Sequence, residues 1–82
     1  MTAWVYILRG SSGRHYIGST VNLERRVAEH RRGHTHTTRR IGGEIELVAS
    51  RAYETLEEAR RVERALKAKK SPQLAIYHLR VR

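Results

Sequence analysis

The apolar and polar positions of the chain alternate between two periods, and the switches mark its elements. Trp4-Val5-Tyr6-Ile7-Leu8 is aromatic and β-branched throughout, which suits a buried strand. Gly10-Ser11-Ser12-Gly13 is a turn signal, and His15-Tyr16-Ile17-Gly18-Ser19 reads as the returning strand, so residues 3–19 form a hairpin. Gly18 inside that strand predicts a bulge or a close backbone approach. Asn22 is placed to cap a helix that runs to Arg32 and stops at Gly33, with Leu23, Val27 and His30 on one face. His34 to Gly43 is rich in Thr, Arg and Gly and reads as a basic loop. Glu44-Ile45-Glu46-Leu47-Val48 alternates, continues apolar to Ala49, and predicts a third strand.

Thr55-Leu56-Glu57-Glu58 is a capping box, with Thr55 as cap and Glu58 reaching back. It opens a long helix whose inward stripe is Leu56, Ala59, Val62 and Leu66. Lys67, Lys69 and Lys70 in its last turn complement the helix dipole. Ser71-Pro72 starts a short third helix, with proline at its first position. The expected order is β-β-α-β-α-α: an α+β (α/β sandwich) fold in which a three-stranded antiparallel sheet is flanked by helices.

Length and charge narrow this picture. Eighty-two residues make one small domain, 1–82, which buries roughly 60% of its unfolded surface. Lys and Arg number 17 against 8 Asp and Glu, and the net charge of +9 points to a polyanion partner, most simply nucleic acid. Residues 1–41 carry +6 of that excess and residues 42–82 carry +3, so the charge is concentrated on the N-terminal half. The chain has no Cys, which excludes a disulfide scaffold, a thiolate zinc site and a cysteine nucleophile. It has no Asp either; all acids are Glu, which removes a Ser-His-Asp triad and makes a carboxylate-rich two-metal site hard to build. Trp4 to Leu8 is too short to span a membrane and does not follow a signal-peptide pattern. The expectation is a cytoplasmic protein with no membrane association.

Three groups of residues break the local pattern. Glu63 lies inside the apolar stripe of the long helix, where a carboxylate is costly unless paired or metal-bound. The same spacing allows Glu63 to sit at the stripe's edge and pair with Arg60 or Lys67. Arg26 and His30 share a helix face at i, i+4, a fork beside an imidazole that suits a phosphate, within a basic run that also reads as a solvated face. Tyr6 and Tyr16 lie on paired strands; they share a face if the hairpin loop is odd or bulged, and do not with a four-residue Gly10–Gly13 loop. His34 and His36 lack nearby residues that would complete a metal site.

In chain order these signals become specific. Trp4-Val5-Tyr6, then Tyr16-Ile17-Gly18-Ser19-Thr20, then Asn22-Leu23-Glu24-Arg25-Arg26 and His30-Arg31-Arg32-Gly33, then Glu63 on a later helix, resembles the GIY-YIG nuclease family over nearly the whole chain. The resemblance is strongest to small stand-alone members, which are similar to the incision domain of bacterial excision-repair nucleases. It implies Tyr6, Tyr16, Arg26 and His30 as catalytic residues, Glu63 as the metal ligand, and Gly18 as the point where the scissile strand comes close. The first half-motif is Trp4-Val5-Tyr6 rather than Gly-Ile-Tyr, and the late asparagine of larger members has no counterpart, since Asn22 is the only Asn.

A metal-dependent, structure-directed endonuclease acting on DNA follows as the expected function. One carboxylate can hold one hard, hydrated Mg²⁺, with Mn²⁺ as a substitute. Arg26 would neutralise phosphate oxygens, Tyr6 would act as general base and Tyr16 as a second phosphate or water contact, although the two tyrosines can be exchanged. Arg9, Arg14, Arg25, Arg31, Arg32, Arg39 and Arg40 would bind the backbone. The competing readings are a non-catalytic nucleic-acid-binding module on the same fold and a basic protein docking on an acidic partner. RNA stays open as substrate, and a protein partner would supply specificity.

Overall fold

The computed structural model describes residues 2–32 and 44–80. The elements are β1 (Ala3–Gly10), β2 (His15–Thr20), α1 (Leu23–Arg31), β3 (Ile45–Tyr53), α2 (Leu56–Ala68) and α3 (Pro72–Arg80). Their order is the expected β-β-α-β-α-α. The strands form one antiparallel sheet in the order β2-β1-β3. The basic loop expected at 34–43 and the stop at Gly33 lie outside the described residues. Among the described residues no helix is long and apolar enough to cross a membrane.

β1 is the central strand, and Val5, Tyr6, Ile7 and Leu8 are all fully buried. A strand covered on both faces needs an unbroken apolar run, and this one has it. Val5 and Ile7 face one core, built with Ala59 and Leu66 of α2 and Ala75 and Leu79 of α3. Tyr6 and Leu8 face a second core, closed by Val27 of α1. Helix α1 therefore covers one face of the sheet, and α2 with α3 covers the other.

The hairpin settles which face the tyrosines take. Arg9 pairs with His15, so an odd number of residues separates the strands. Gly13 N–H donates to the Gly10 carbonyl and Gly10 N–H to the Arg14 carbonyl, both at 2.9 Å. Gly13 has a φ of 88°, the left-handed geometry that ends a tight loop of this kind. The four-residue alternative is thereby excluded, and Tyr6 and Tyr16 share a face. Gly18 pairs in regular register with Tyr6, so it marks a close approach and not a bulge.

β3 runs to Tyr53, beyond the expected end at Ala49. Its continuation, Ser50-Arg51-Ala52, has only Ala52 as an apolar residue and is held by pairing with Trp4, Val5 and Tyr6. The apolar run Leu47-Val48-Ala49 has its own explanation. Ile7 pairs with Ala49 and Leu8 with Leu47, so Val48 is an inserted bulge residue and the strand changes face across it. Arg80 of α3 donates to the Val48 carbonyl at 2.6 Å, which satisfies an acceptor the bulge removes from the ladder.

Both N-caps form where expected, while the return bond expected from the Glu58 side chain to Thr55 N–H is not among the hydrogen bonds of the described residues. Asn22 Oδ1 accepts from Arg25 N–H and Thr55 Oγ1 from Glu58 N–H, both at 3.1 Å. Lys70 turns the chain between α2 and α3 with a φ of 54°. Ser71 Oγ then accepts from Leu74 N–H at 3.3 Å, ahead of Pro72.

Replacing Gly13 by Ala puts a side chain on a left-handed residue. We expect Gly13→Ala to lower stability by about 1–2 kcal/mol. Urea denaturation of both proteins measures this, and an unchanged midpoint would show that the turn does not hold the register.

Candidate functional site

The site begins with a buried phenol. Tyr6 sits opposite Gly18, and Leu8 opposite Tyr16, so the two tyrosines are diagonal neighbours on the α1 face. A side chain on Gly18 would place its Cβ 2.6 Å from Tyr6 Oη, 2.7 Å from Tyr6 Cζ and 2.8 Å from Tyr16 Cε2. The space that Gly18 leaves is thus filled by the two phenols.

Tyr6 Oη lies 3.1 Å from Nε2 of His30, which is itself fully buried on α1. The rings of Tyr6, Tyr16 and His30 pack as a tilted trio. Tyr16 and His30 are 5.2 Å apart, Tyr6 and His30 5.9 Å, and the two tyrosines 6.1 Å. Arg26 stands one helical turn before His30, beside the Tyr6 hydroxyl. Its Nη1 also meets Glu29 Oε1 at 3.3 Å, and Glu29 reaches Arg25 at 3.8 Å.

The electrostatics of this trio are set mainly by burial. Desolvation pushes the Tyr6 phenol well above its usual range. Arg26 pulls it back down and Tyr16 pushes it up, but burial prevails. The Tyr6 contact in turn raises the Arg26 guanidinium. Burial, aided by the positive charge of Arg26, lowers the His30 pKa and holds the imidazole neutral. The resting pair is therefore a neutral phenol against a neutral imidazole.

Glu63 lies on the other face. Ser19 follows Gly18 in β2 and points to the α2 side, where its hydroxyl donates to Glu63 Oε1 at 2.5 Å. Lys67 Nζ holds Glu63 Oε2 at 2.7 Å. The same ammonium stands 5.7 Å from the centre of the Tyr16 ring. β2 is an edge strand, and Lys67 reaches around that edge. Glu63 thus meets the tyrosine cluster through Lys67, and among the described residues it forms no hydrogen bond or ion pair with Tyr6, Tyr16 or Arg26. Its pairing with Lys67 is the edge-of-stripe geometry that the helical spacing allowed.

Among the described residues there is no group of three or more His, Cys, Asp or Glu that could hold a metal ion. A bare ion that demands several protein ligands does not fit here. A hydrated hard cation does fit, because it needs one carboxylate and keeps its waters. Glu63 could serve as that carboxylate, since the ammonium already beside it shows that the position accepts positive charge.

The expected phosphate-binding arginines are dispersed. Arg9 is bound to Glu46 at 2.7 Å across the sheet. Arg14 is exposed on the hairpin, and Arg25, Arg31 and Arg32 are exposed along α1. Arg39 and Arg40 lie outside the described residues. Sequence reasoning missed Ser19 and the contact of Lys67 with Tyr16. The i, i+4 spacing pointed to the Glu63–Lys67 pair, but nothing local links Ser19 to a residue 44 positions on.

A family model described as the GIY-YIG catalytic domain matches residues 2–75. UPF0213 proteins from two strains of Streptococcus pneumoniae are 35% and 34% identical over 71 residues, which is 87% of this chain and 72% of each relative. The solution structure of a UPF0213 protein from Bacillus halodurans superimposes with a TM-score of 0.56 at 36% identity, over 90% of this chain and 82% of that one.

Two outcomes follow from the geometry. Gly18→Ala forces a methyl into the buried Tyr6 ring and should cost about 1–3 kcal/mol, read by thermal denaturation. A neutral cost would mean that the phenols are not confined there. The lowered His30 pKa makes the unfolded chain bind a proton first as pH falls. The stability linked to His30 is complete above about pH 6.5 and drains away below it. Between pH 7 and 5, His30→Gln should lose less stability than the parent, and equal slopes would contradict a neutral buried imidazole.

Proposed function

The chain belongs to the GIY-YIG family, and on that premise we propose that it is a metal-dependent endonuclease that hydrolyses phosphodiester bonds of DNA. The observation that carries the proposal is the meeting of Tyr6, Tyr16, His30 and Arg26 at the edge strand under which Glu63 is held. The +9 charge supplies attraction to a polyanion. A Mg²⁺ or Mn²⁺ ion on Glu63 would supply charge neutralisation and an acidified water.

The residues divide the remaining work. Arg26 is about 39% exposed in its side chain, so its guanidinium reaches solvent while touching Tyr6. It would pair with the non-bridging oxygens as charge builds on phosphorus, a contribution of about 3–4 kcal/mol for one such group. Tyr6 is the proton acceptor, and its own proton passes to His30 Nε2, which is neutral and within hydrogen-bond distance. Tyr6 is closed to water at rest, so this reading requires the substrate to open the ring cluster. Tyr16, only partly buried, is the contact on the substrate side.

The experiment is plasmid nicking with Mg²⁺ or Mn²⁺, run beside a gel shift. The parent should nick, and Glu63→Gln and Arg26→Ala should each slow nicking by about 10²–10³-fold. A gel shift without nicking by the parent would make the protein a binding module and end the catalytic proposal. Variants that nick at the parental rate would remove those residues from the site.

A further inference from the structure

Glu63 is the carboxylate on the α2 side of the site, and both of its oxygens are already engaged. Its side chain is about 19% exposed, Ser19 donates to one oxygen, and the Lys67 ammonium holds the other at 2.7 Å. A cation therefore occupies the place a metal ion would take. Lys67 is also stationed between the two halves of the site, 5.7 Å from the Tyr16 ring centre on one side and in contact with Glu63 on the other.

We infer that Lys67 is an internal counter-cation that competes with the divalent ion for Glu63 and surrenders the carboxylate when a nucleic-acid phosphate offers its ammonium a new anion. This rests on the proposed metal role of Glu63 and adds a positioning residue to it. The physics is charge balance. Glu63 and Lys67 sum to zero, so an arriving divalent cation meets a neutral pair and must displace one member. Two cations cannot share a carboxylate at contact distance without repulsion. The ammonium is the mobile member, since its side chain is half exposed on a flexible four-carbon stem. The pair can also exchange, because it is partly exposed and water can take over the ammonium as it leaves the carboxylate.

Once displaced, the ammonium keeps its stem beside Tyr16 and can turn its three donors toward a phosphate in front of that ring. Metal and nucleic acid then help each other to bind. The metal frees Lys67 for the phosphate, and the phosphate removes the competitor of the metal. Thermodynamic linkage makes the two effects equal. The free protein is accordingly a poor binder of divalent ions.

The test uses Mn²⁺ binding to the full chain without nucleic acid, with free Mn²⁺ counted by its paramagnetic resonance signal. Lys67→Met keeps the stem over Tyr16 and removes the competitor, and Lys67→Gln checks it with a polar end. Both should bind Mn²⁺ about tenfold more tightly than the parent, equivalent to about 1.4 kcal/mol. Arg64→Met is the control. Arg64 is exposed next to Glu63 on α2 and forms no ion pair among the described residues, so its loss changes net charge without vacating Glu63. It should shift affinity no more than about twofold, the effect of a screened surface charge. An equal gain in Arg64→Met, or no gain in either Lys67 variant, overturns the inference while leaving Glu63 as the ligand. Adding Glu63→Gln to Lys67→Met should erase the gain. If it does not, the metal does not sit on Glu63, and the proposed function fails together with the role of Lys67.

Discussion

A phenol placed on the central strand of a small sheet must find a hydrogen-bond partner, and the rest of the site follows from that requirement. β1 is covered on both faces, so the Tyr6 hydroxyl cannot turn to bulk water. An unsatisfied hydroxyl there would cost about 1–3 kcal/mol. His30 meets the need, which pins the register of α1 against the sheet. Pinning α1 brings Arg26, one turn earlier, to the same phenol. Gly18 completes the arrangement, because any larger residue opposite Tyr6 would occupy the volume of its ring.

β2 then divides the chemistry between two faces. Gly18 and Ser19 are adjacent, and the strand period sends one toward Tyr6 and the other toward Glu63. In a central strand that division would be final. At an edge a long side chain can pass around the sheet, and Lys67 does so. The position of β2 in the strand order is thus what brings a carboxylate on one face and a phenol cluster on the other to a common edge. The ion pairs around this edge add little to stability. Arg26 with Glu29 and Glu63 with Lys67 are partly exposed, and such pairs hold side chains in place more than they hold the fold together.

Most of the fold was legible because it is encoded locally. The run at Trp4–Leu8, the N-caps at Asn22 and Thr55 and the Ser71-Pro72 start each depend on neighbours in sequence, and each forms where expected. What escaped depends on pairing across the chain. β3 continues through Arg51 and Ala52 because β1 offers partners there, and their own composition carries no such signal. Leu47-Val48-Ala49 looked like the end of a strand and is a bulge, visible only against Leu8 and Ile7. The hairpin left two registers open, and the left-handed geometry at Gly13 decides between them. The site residues were legible as misfits, and Tyr6, Tyr16, Arg26 and His30 do come together. The acidic half was less so: Glu63 reaches them through a lysine whose second contact no helical spacing could show.

Those misfits compensate one another. Glycine weakens a strand, yet the gap at Gly18 admits Tyr6. Tyr6 brings a polar atom into a core, and His30 answers it. His30 is a buried base that burial itself keeps neutral, so it adds no unpaired charge. Glu63 interrupts an apolar stripe and is answered by Ser19 and Lys67. Selection for packing alone would replace each of these residues with an apolar one, since a well-packed hydrophobic group costs less than a satisfied polar network. A set of exceptions that are mutually satisfied, and that converge on one sheet edge, is hard to account for by stability. The proposed function accounts for it, because a catalytic site would need donors, acceptors and a carboxylate held in place before substrate arrives.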